Sequence, residues 1–183
     1  MKRTVIFLGL LAFAVITAWS QENMATISGG YAFANMEGTD TDASGFRVNG
    51  VYEFNPNGGM LSHGISFGYI GTSADSTGVQ GAEFNLNNWP IYYAPKLMFG
   101  KGKFKFYVKG ALGMHFSTYK RTAAAVETKT NDMGFYGGAS VGAMIFLKEN
   151  MFLNAEYEWA YLSNSYYTNG FINTANFGLG FKF

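Results

Sequence analysis

The last eleven residues, Asn173-Thr-Ala-Asn-Phe-Gly-Leu-Gly-Phe-Lys-Phe183, alternate strictly between apolar and small or polar positions. Alternation with a period of two places the two sets on opposite faces of a β-strand. The apolar set becomes bulkier and more aromatic toward the end of the chain; it consists of Ala175, Phe177, Leu179, Phe181 and Phe183. The segment therefore predicts a terminal β-strand with one strongly apolar face.

The same alternation recurs through the rest of the chain and predicts seven further strands. Their approximate bounds are 25–36, 44–54, 62–72, 80–99, 104–119, 133–147 and 151–163. Strands of this length are long enough to cross a membrane when tilted. In the fourth, the apolar phase shifts by one residue at Trp89-Pro90, from Phe84 and Leu86 to Ile91 and Tyr93. This shift predicts a β-bulge at Pro90, which has no N–H to donate to the ladder.

The connections between the predicted strands alternate between tight turns and longer polar loops. The tight ones are 55–59, 100–103 and 148–150, and the longer ones are 37–43, 73–79, 120–132 and 164–170. Membrane barrels have short turns on one side and longer loops on the other, and an even strand number places both termini on the turn side. The sequence predicts an all-β fold, an eight-stranded antiparallel up-and-down transmembrane β-barrel.

The first twenty residues have the features of an export signal. Met1-Lys2-Arg3 supplies positive charge, an apolar run covers Val5 to Ile16, and Ala18 and Ser20 are small residues at a cleavage site. Cleavage after Ser20 leaves a barrel domain over residues 21–183. An N-terminal membrane anchor is the alternative, although the apolar run is too short to span a bilayer as a helix.

Composition excludes several classes of function. Aromatic residues make up 18% of the chain and charged residues 14%, as suits a barrel with a lipid-facing exterior. Removal of Lys2 and Arg3 with the signal leaves 11 basic against 12 acidic residues, so nothing suggests nucleic acid. The chain has no cysteine for a disulfide or a thiolate site. We expect no cofactor and no resident metal.

The C-terminal aromatic with apolar residues at alternate positions before it resembles the last strand of bacterial outer-membrane β-barrels. The mature chain as a whole resembles small barrels of the OmpX and OmpA-barrel type, and the Ser20-Gln21 junction resembles exported proteins of the Bacteroidota. The resemblance implies a monomer in the bacterial outer membrane, with periplasmic termini, extracellular loops, and contact with outer-membrane lipid and lipopolysaccharide. It also implies that the barrel assembly machinery reads an assembly signal formed by Phe177, Leu179, Phe181 and Phe183.

The predicted inward face carries both signs of charge. We expect a lumen network formed by Arg47, Glu53, Glu83, Lys96, Lys105, Lys109, Glu156, Glu158 and Lys182. The interior of an eight-stranded barrel is just wide enough for side chains to fill, and buried charges there have to be paired or hydrated. A closed lumen is the first interpretation, and a narrow ion-conducting pore is the alternative. Inward glycines such as Gly142 and Gly180 leave room for water or for long lysine stems.

The loops hold the remaining candidate contacts. Lys120 and Arg121 are candidates for binding lipopolysaccharide phosphates, because basic groups pair with phosphate. Tyr166 and Tyr167 are expected to be exposed aromatic anchors for a surface ligand. Glu37, Asp40 and Asp42 carry oxygens that suit a divalent cation, but their spacing matches no calcium loop, so we interpret them as a solvated acidic loop.

One motif resembles an enzyme. His115-Phe116-Ser117 with Glu127 downstream is similar to the His-x-Ser motif of outer-membrane deacylases that act on lipid A, although Thr118 stands where that family has Asn. A serine activated by a histidine that a carboxylate orients is the usual logic of a hydrolase. His115 and Ser117 are in phase with the inward lysines, and Glu127 falls in a predicted loop, so we predict no catalytic residues and no enzyme.

The sequence thus predicts a non-catalytic barrel with a closed lumen, which anchors external loops for surface interaction or envelope integrity. The narrow pore and the lipid A-modifying hydrolase are the alternatives. Neither a ligand of the loops nor a physiological role follows from the residues.

Overall fold

The computed structural model describes residues 22–37, 42–55, 59–75, 83–123, 126–164 and 166–183. These residues form strands and a single turn of 3₁₀ helix at Thr168–Gly170. The strands are β1 (Glu22–Asn35), β2 (Asp42–Asn55), β3 (Leu61–Asp75), β4 (Glu83–Tyr93), β5 (Lys96–Phe99), β6 (Phe104–Ala123), β7 (Val126–Lys148), β8 (Met151–Leu162) and β9 (Phe171–Lys182). The predicted signal segment 1–20 lies outside the described residues and remains a prediction.

Every strand pairs antiparallel with its neighbours, and the sheet closes on itself. The last strand, β9, returns to pair with β1, from Met24 opposite Lys182 to Phe33 opposite Asn173. Segments β4 and β5 occupy one position between β3 and β6. The nine segments therefore make a ring of eight strands, which confirms the predicted antiparallel barrel.

The break between β4 and β5 falls at Ala94-Pro95. The ladder continues through it, because the Ala94 N–H donates to the Gly64 carbonyl at 2.8 Å and the Gly110 N–H donates to the Pro95 carbonyl at 2.8 Å. The predicted bulge at Pro90 is wrong. Pairing with β6 is uninterrupted through Pro90, opposite His115, the register with β3 is the same on both sides of Pro90, and the even-numbered residues from 84 to 98 are all buried. The apparent phase shift arose because Phe84 and Leu86 face the interior at the loop end of the barrel, where apolar side chains fill the lumen.

The outer face of the barrel is apolar. Ile27 and Phe177, on neighbouring strands, are each 71% exposed. Leucine, isoleucine, valine and aromatic side chains occupy the corresponding outward positions of the other strands. No helix among the described residues is both long and apolar enough to cross a membrane. An exposed apolar surface on this scale is unusual in a protein surrounded by water and suits contact with lipid.

The interior is filled in three layers. An apolar cluster lies near the loop end and includes Ile70, Leu86, Tyr167 and Ile172. A second apolar cluster lies near the turn end and consists of Met24, Met98, Tyr107, Met144 and Phe152. Buried charged side chains lie between the two clusters.

The two longest strands, β6 and β7, form a hairpin at the loop end, and β4 stays paired with β6 as far as Glu83 opposite Thr122. Strands β6 and β7 remain paired with each other out to Ala123 opposite Val126, so most of the predicted loop 120–132 is a β-hairpin. Strand β7 pairs with β8 only from Tyr136 onward. Between Val126 and Gly134, β7 therefore presents one edge without a neighbouring strand among the described residues.

A candidate site in the barrel interior

The centre of the interior is built around Arg47, which projects inward from β2 and is buried. Its Nη1 donates to Glu158 Oε1 at 3.0 Å and to the Tyr136 hydroxyl at 3.1 Å. Its Nη2 donates to the Tyr92 hydroxyl at 2.8 Å, and Tyr136 donates in turn to Glu158. The four side chains come from β2, β4, β7 and β8, so the cluster ties opposite walls of the barrel together.

Two further ion pairs lie toward the turn end. Lys109 Nζ is 2.7 Å from Glu156, and the Tyr107 hydroxyl donates to the same carboxylate at 2.8 Å. Lys96 Nζ is 2.5 Å from Glu53 Oε1. A cavity of about 10 Å³ between these pairs is roughly the space of one water molecule.

The ion pairs in this layer contain equal numbers of positive and negative charges. Among the described residues, the buried ion pairs join three cations to three carboxylates: Arg47 to Glu158, Lys96 to Glu53, and Lys109 to Glu156. Removing a charge from water is costly unless a partner and hydrogen bonds replace the lost hydration. Each charge therefore holds its partner in the lumen, and the layer has no unpaired charge to favour one ion sign.

The other three residues predicted for the lumen network lie elsewhere. Lys105 and Lys182 are half-buried and line a pocket at the turn end, outside the layer of ion pairs. Glu83 does not join the interior, which corrects that assignment. As the first residue of β4 it is exposed at the loop end, where solvent hydrates the carboxylate.

The inward glycines make room for aromatic rings rather than for water. Tyr107 lies directly opposite Gly142 in the ladder, and its ring occupies the space that a side chain at Gly142 would fill. Phe152 lies opposite Gly180 in the same way. Pairs of an aromatic residue with a cross-strand glycine are a known means of fixing strand register. The sequence contains both members of each pair, but their pairing depends on a register that the sequence alone does not specify.

Tyr167, which the sequence predicts to be exposed, lies in the interior at the loop end and is only 1% exposed. Its hydroxyl is 2.8 Å from Thr72 Oγ1 and accepts from Asn88 Nδ2 at 3.1 Å. The segment turns inward because Asn164 Oδ1 accepts the backbone N–H groups of Tyr166 and Tyr167, at 3.1 and 3.4 Å. Burial raises the pKa of Tyr167 to about 12, so its hydroxyl stays neutral over the physiological range.

Tyr166 is partly exposed and packs against the same apolar cluster at the loop end. Its ring stacks on Tyr119 with centroids 4.4 Å apart. The stack joins the segment before β9 to the base of the β6–β7 hairpin. Of the two predicted aromatic anchors, only Tyr166 retains accessible surface.

The enzyme-like motif does not assemble a catalytic relay. His115 and Ser117 are buried, and Ser117 donates its only hydroxyl proton to Asn88 Oδ1 at 2.5 Å. His115 Nδ1, 2.8 Å from Ser117 Oγ, must then donate to the serine instead of accepting from it. Glu127 is exposed on the hairpin, where it lies 3.5 Å from Lys120.

The predicted loop cations fall on opposite faces of the hairpin. Lys120 and Lys129 are cross-strand partners on the face that continues the outward row of Phe116. The Arg121 guanidinium lies over the ring of Phe84, 5.7 Å from its centroid, on the inner face. In the acidic loop, Asp40 lies outside the described residues, and no group of side chains suited to a metal ion occurs within the part of the chain that the structure describes.

The terminal strand presents its predicted apolar row outward. Phe177, Leu179, Phe181 and Phe183 are all exposed. Phe183 is held at the end of the ladder by two backbone hydrogen bonds with Asn23, at 2.9 and 3.0 Å. The row is accessible in the way that an assembly signal requires, and its recognition remains a prediction.

A sequence-family comparison decides what this barrel is. The family model described as "outer membrane protein beta-barrel domain" matches residues 5–183. The chain belongs to this family. This outer-membrane barrel therefore lies in the bacterial outer membrane, as the sequence predicted. Its orientation, with the turn end toward the periplasm and the hairpin end outside, remains a prediction.

Solved structures of outer-membrane proteins share the fold. A major outer membrane protein of Thermus thermophilus is 10% identical, with a TM-score of 0.66 over 88% of this chain and 99% of its own. Neisserial surface protein A is 16% identical, with a TM-score of 0.63 over 88% and 97%. Ail, the attachment invasion locus protein of Yersinia pestis, is 15% identical, with a TM-score of 0.59 over 88% and 98%. At these identities the likeness establishes the fold alone.

No curated protein sequence matches the chain. The function of the barrel therefore has to be argued from its own residues.

Proposed function

We propose that this barrel is a non-catalytic, closed membrane anchor whose extended hairpin makes contacts at the cell surface. The observation that carries the proposal is the filled interior. Three buried ion pairs are enclosed between two apolar clusters, and Tyr167 is buried at the loop end. Side chains thus fill the lumen of an eight-stranded barrel, as its narrow diameter allows. A narrow pore would require these pairs to separate.

The hairpin supplies the contact surface. Lys120 lies directly opposite Lys129, and like charges in that position repel each other. Glu127, 3.5 Å from Lys120, offsets part of this repulsion. An anionic group between the two ammonium groups would offset the rest, because lysine pairs with phosphate and sulfate oxygens.

Lipopolysaccharide phosphates are the anions we assign to this pair. Lys120 and Lys129 stand just beyond the outward apolar row that ends in Phe116 and Met133, at the level where lipid headgroups begin. Ail, which shares the fold, has been solved in complex with the heparin analogue sucrose octasulfate, at 19% identity and a TM-score of 0.53. Binding of a polyanion is thus compatible with this architecture.

Replacing Lys120 and Lys129 together by glutamine should weaken lipopolysaccharide binding. Each basic residue near an anionic membrane surface contributes about 1 kcal/mol, so we expect a loss of roughly 25-fold in affinity for the pair. The measurement is a titration of the refolded barrel in detergent with lipopolysaccharide. Arg121→Gln is the matched control, since its guanidinium lies on the other face over Phe84. Equal losses in the control and the double variant would remove the support for this contact.

A further inference from the structure

The charges of the chain are divided into three tiers along the barrel axis. In the interior, the positive and negative charges of the ion pairs are equal in number. The described segments at the outer end carry more acids than bases: Glu37, Asp42, Asp75, Glu83, Glu127 and Asp132 against Lys120, Arg121 and Lys129. The segments at the periplasmic end carry more bases than acids: Lys101, Lys103, Lys105, Lys148 and Lys182 against Glu22 and Glu149. A nearly neutral chain thus concentrates its positive charge at the periplasmic rim.

A pocket of about 600 Å³ gathers most of this positive charge. Its lining includes four lysines and one carboxylate, and consists of Gly102, Lys103, Lys105, Phe146, Leu147, Lys148, Glu149 and Lys182. Within the described residues, Lys103, Lys105 and Lys148 form no ion pair, in contrast to the lysines of the interior. These three positive charges are therefore not paired with a carboxylate of the described residues.

The backbone around the pocket is fixed by hydrogen bonds between neighbouring turns. The Phe146 N–H donates to the Lys103 carbonyl at 2.8 Å, and the Lys182 N–H donates to the Asn150 carbonyl at 2.9 Å. The Phe146 ring stands 5.2 Å from the ring of Phe152 in the turn-end apolar cluster. Because that cluster lies under it, the pocket ends at an apolar floor and does not continue into the lumen.

The position of the pocket at the membrane surface indicates the class of ligand. Leu147, at the rim, lies at a register shift between β7 and β8 and is an apolar side chain exposed on the surface. The Lys105 ammonium is 5.3 Å from the centroid of the Phe146 ring, so apolar and cationic groups meet in one wall. A phospholipid offers the complementary pair of groups, an acyl chain toward Leu147 and a negatively charged headgroup toward the lysines.

We propose that the periplasmic pocket binds the headgroup of an anionic phospholipid from the inner leaflet of the outer membrane. The lysines neutralise the phosphate, and the chains of the lipid lie along the outer face beside Leu147. Lys103 and Lys148 approach from the turns, and Lys105 approaches from the mouth of the barrel. This site would anchor the barrel at the correct depth and is independent of the contacts of the outer hairpin.

The test uses dihexanoyl-phosphatidylglycerol as the anionic probe, titrated into the refolded barrel in zwitterionic detergent micelles. Amide chemical shifts of Gly102, Phe146 and Glu149 report on the pocket. We expect these shifts to saturate with the anionic lipid and to change little with dihexanoyl-phosphatidylcholine. Equal responses to the two lipids would overturn the proposal. Saturation of the same shifts by inorganic phosphate, with displacement of the lipid, would overturn the lipid assignment in favour of a soluble anion.

Two variants with the same change in charge locate the binding. Lys103→Gln should weaken the apparent affinity about fivefold. Lys101→Gln removes one cation from the same turn, outside the pocket lining, and should leave the affinity unchanged. A heat-dependent shift on an unheated gel shows that both variants are folded. Equal weakening in the two variants would show binding through overall charge and would contradict the proposed site.

Discussion

Replacing Glu158 by alanine is expected to destabilise the folded barrel by about 3–5 kcal/mol, the range found when one partner of a buried ion pair is removed. The change leaves the Arg47 guanidinium in the interior, where Tyr92 and Tyr136 remain as neutral hydrogen-bond partners. Lys109 Nζ, 4.0 Å from Glu158 in the native protein, makes the remaining charge less favourable. The free energy of unfolding is measured by urea titration of the barrel in lipid vesicles.

Two further variants test whether the lost stability comes from leaving a buried charge without its partner. Arg47→Met combined with Glu158→Leu should recover most of the loss, because apolar residues of similar volume can replace a buried ion pair at little cost. Glu127→Ala removes a carboxylate from the exposed pair with Lys120 and should change stability by no more than about 1 kcal/mol. If Glu158→Ala were no more harmful than Glu127→Ala, the layer of ion pairs would not support the barrel.

Replacing Leu179 by arginine should destabilise insertion by about 2–4 kcal/mol, the cost of arginine on the lipid face near the middle of a bilayer. Leu179 is 40% exposed and lies in an outward row with Ile27 and Leu153, its cross-strand partners. The folded fraction after refolding into vesicles, compared over a urea series, gives the change in free energy.

Leu147→Arg is the matched control for the depth of the substituted residue in the membrane. Leu147 is also apolar and 48% exposed, but it lies beside the Lys148-Glu149 turn at the turn-end rim of the barrel. Arginine there should cost no more than about 1 kcal/mol, because its charge reaches the headgroups. Equal effects at the two positions would contradict the assignment of Leu179 to the middle of the membrane.

The strands and their faces could be predicted because alternation is local. The outward row from Phe177 to Phe183 is visible in the sequence without knowledge of any partner strand. Arg47, Lys109 and Glu158 could be placed inside for the same reason, since each is in phase with small or polar neighbours. Their pairing depends on the register and stagger of distant strands, and no local pattern encodes it.

Predictions from the alternation are wrong where the barrel interior is apolar. Because Phe84 and Leu86 are apolar, the pattern predicts that they face the lipid, and this placement requires a bulge at Pro90. In the structure the alternation continues without a shift, and both side chains are buried in the apolar cluster near the loop end. Tyr167 was misassigned for a related reason: a tyrosine in a polar segment suggests exposure until the chain is seen to turn it inward onto Thr72 and Asn88.

The closed lumen is tested most directly by ion conductance across a planar bilayer that contains the refolded barrel. A band that shifts on heating, run from the same preparation, establishes that the inserted protein is folded. We predict no steady current, because the pairs of Arg47 with Glu158, Lys109 with Glu156, and Lys96 with Glu53 fill the lumen between two apolar clusters. A steady current from the folded barrel, altered when Lys109 and Glu156 are neutralised together, would contradict the closed anchor and identify a pore.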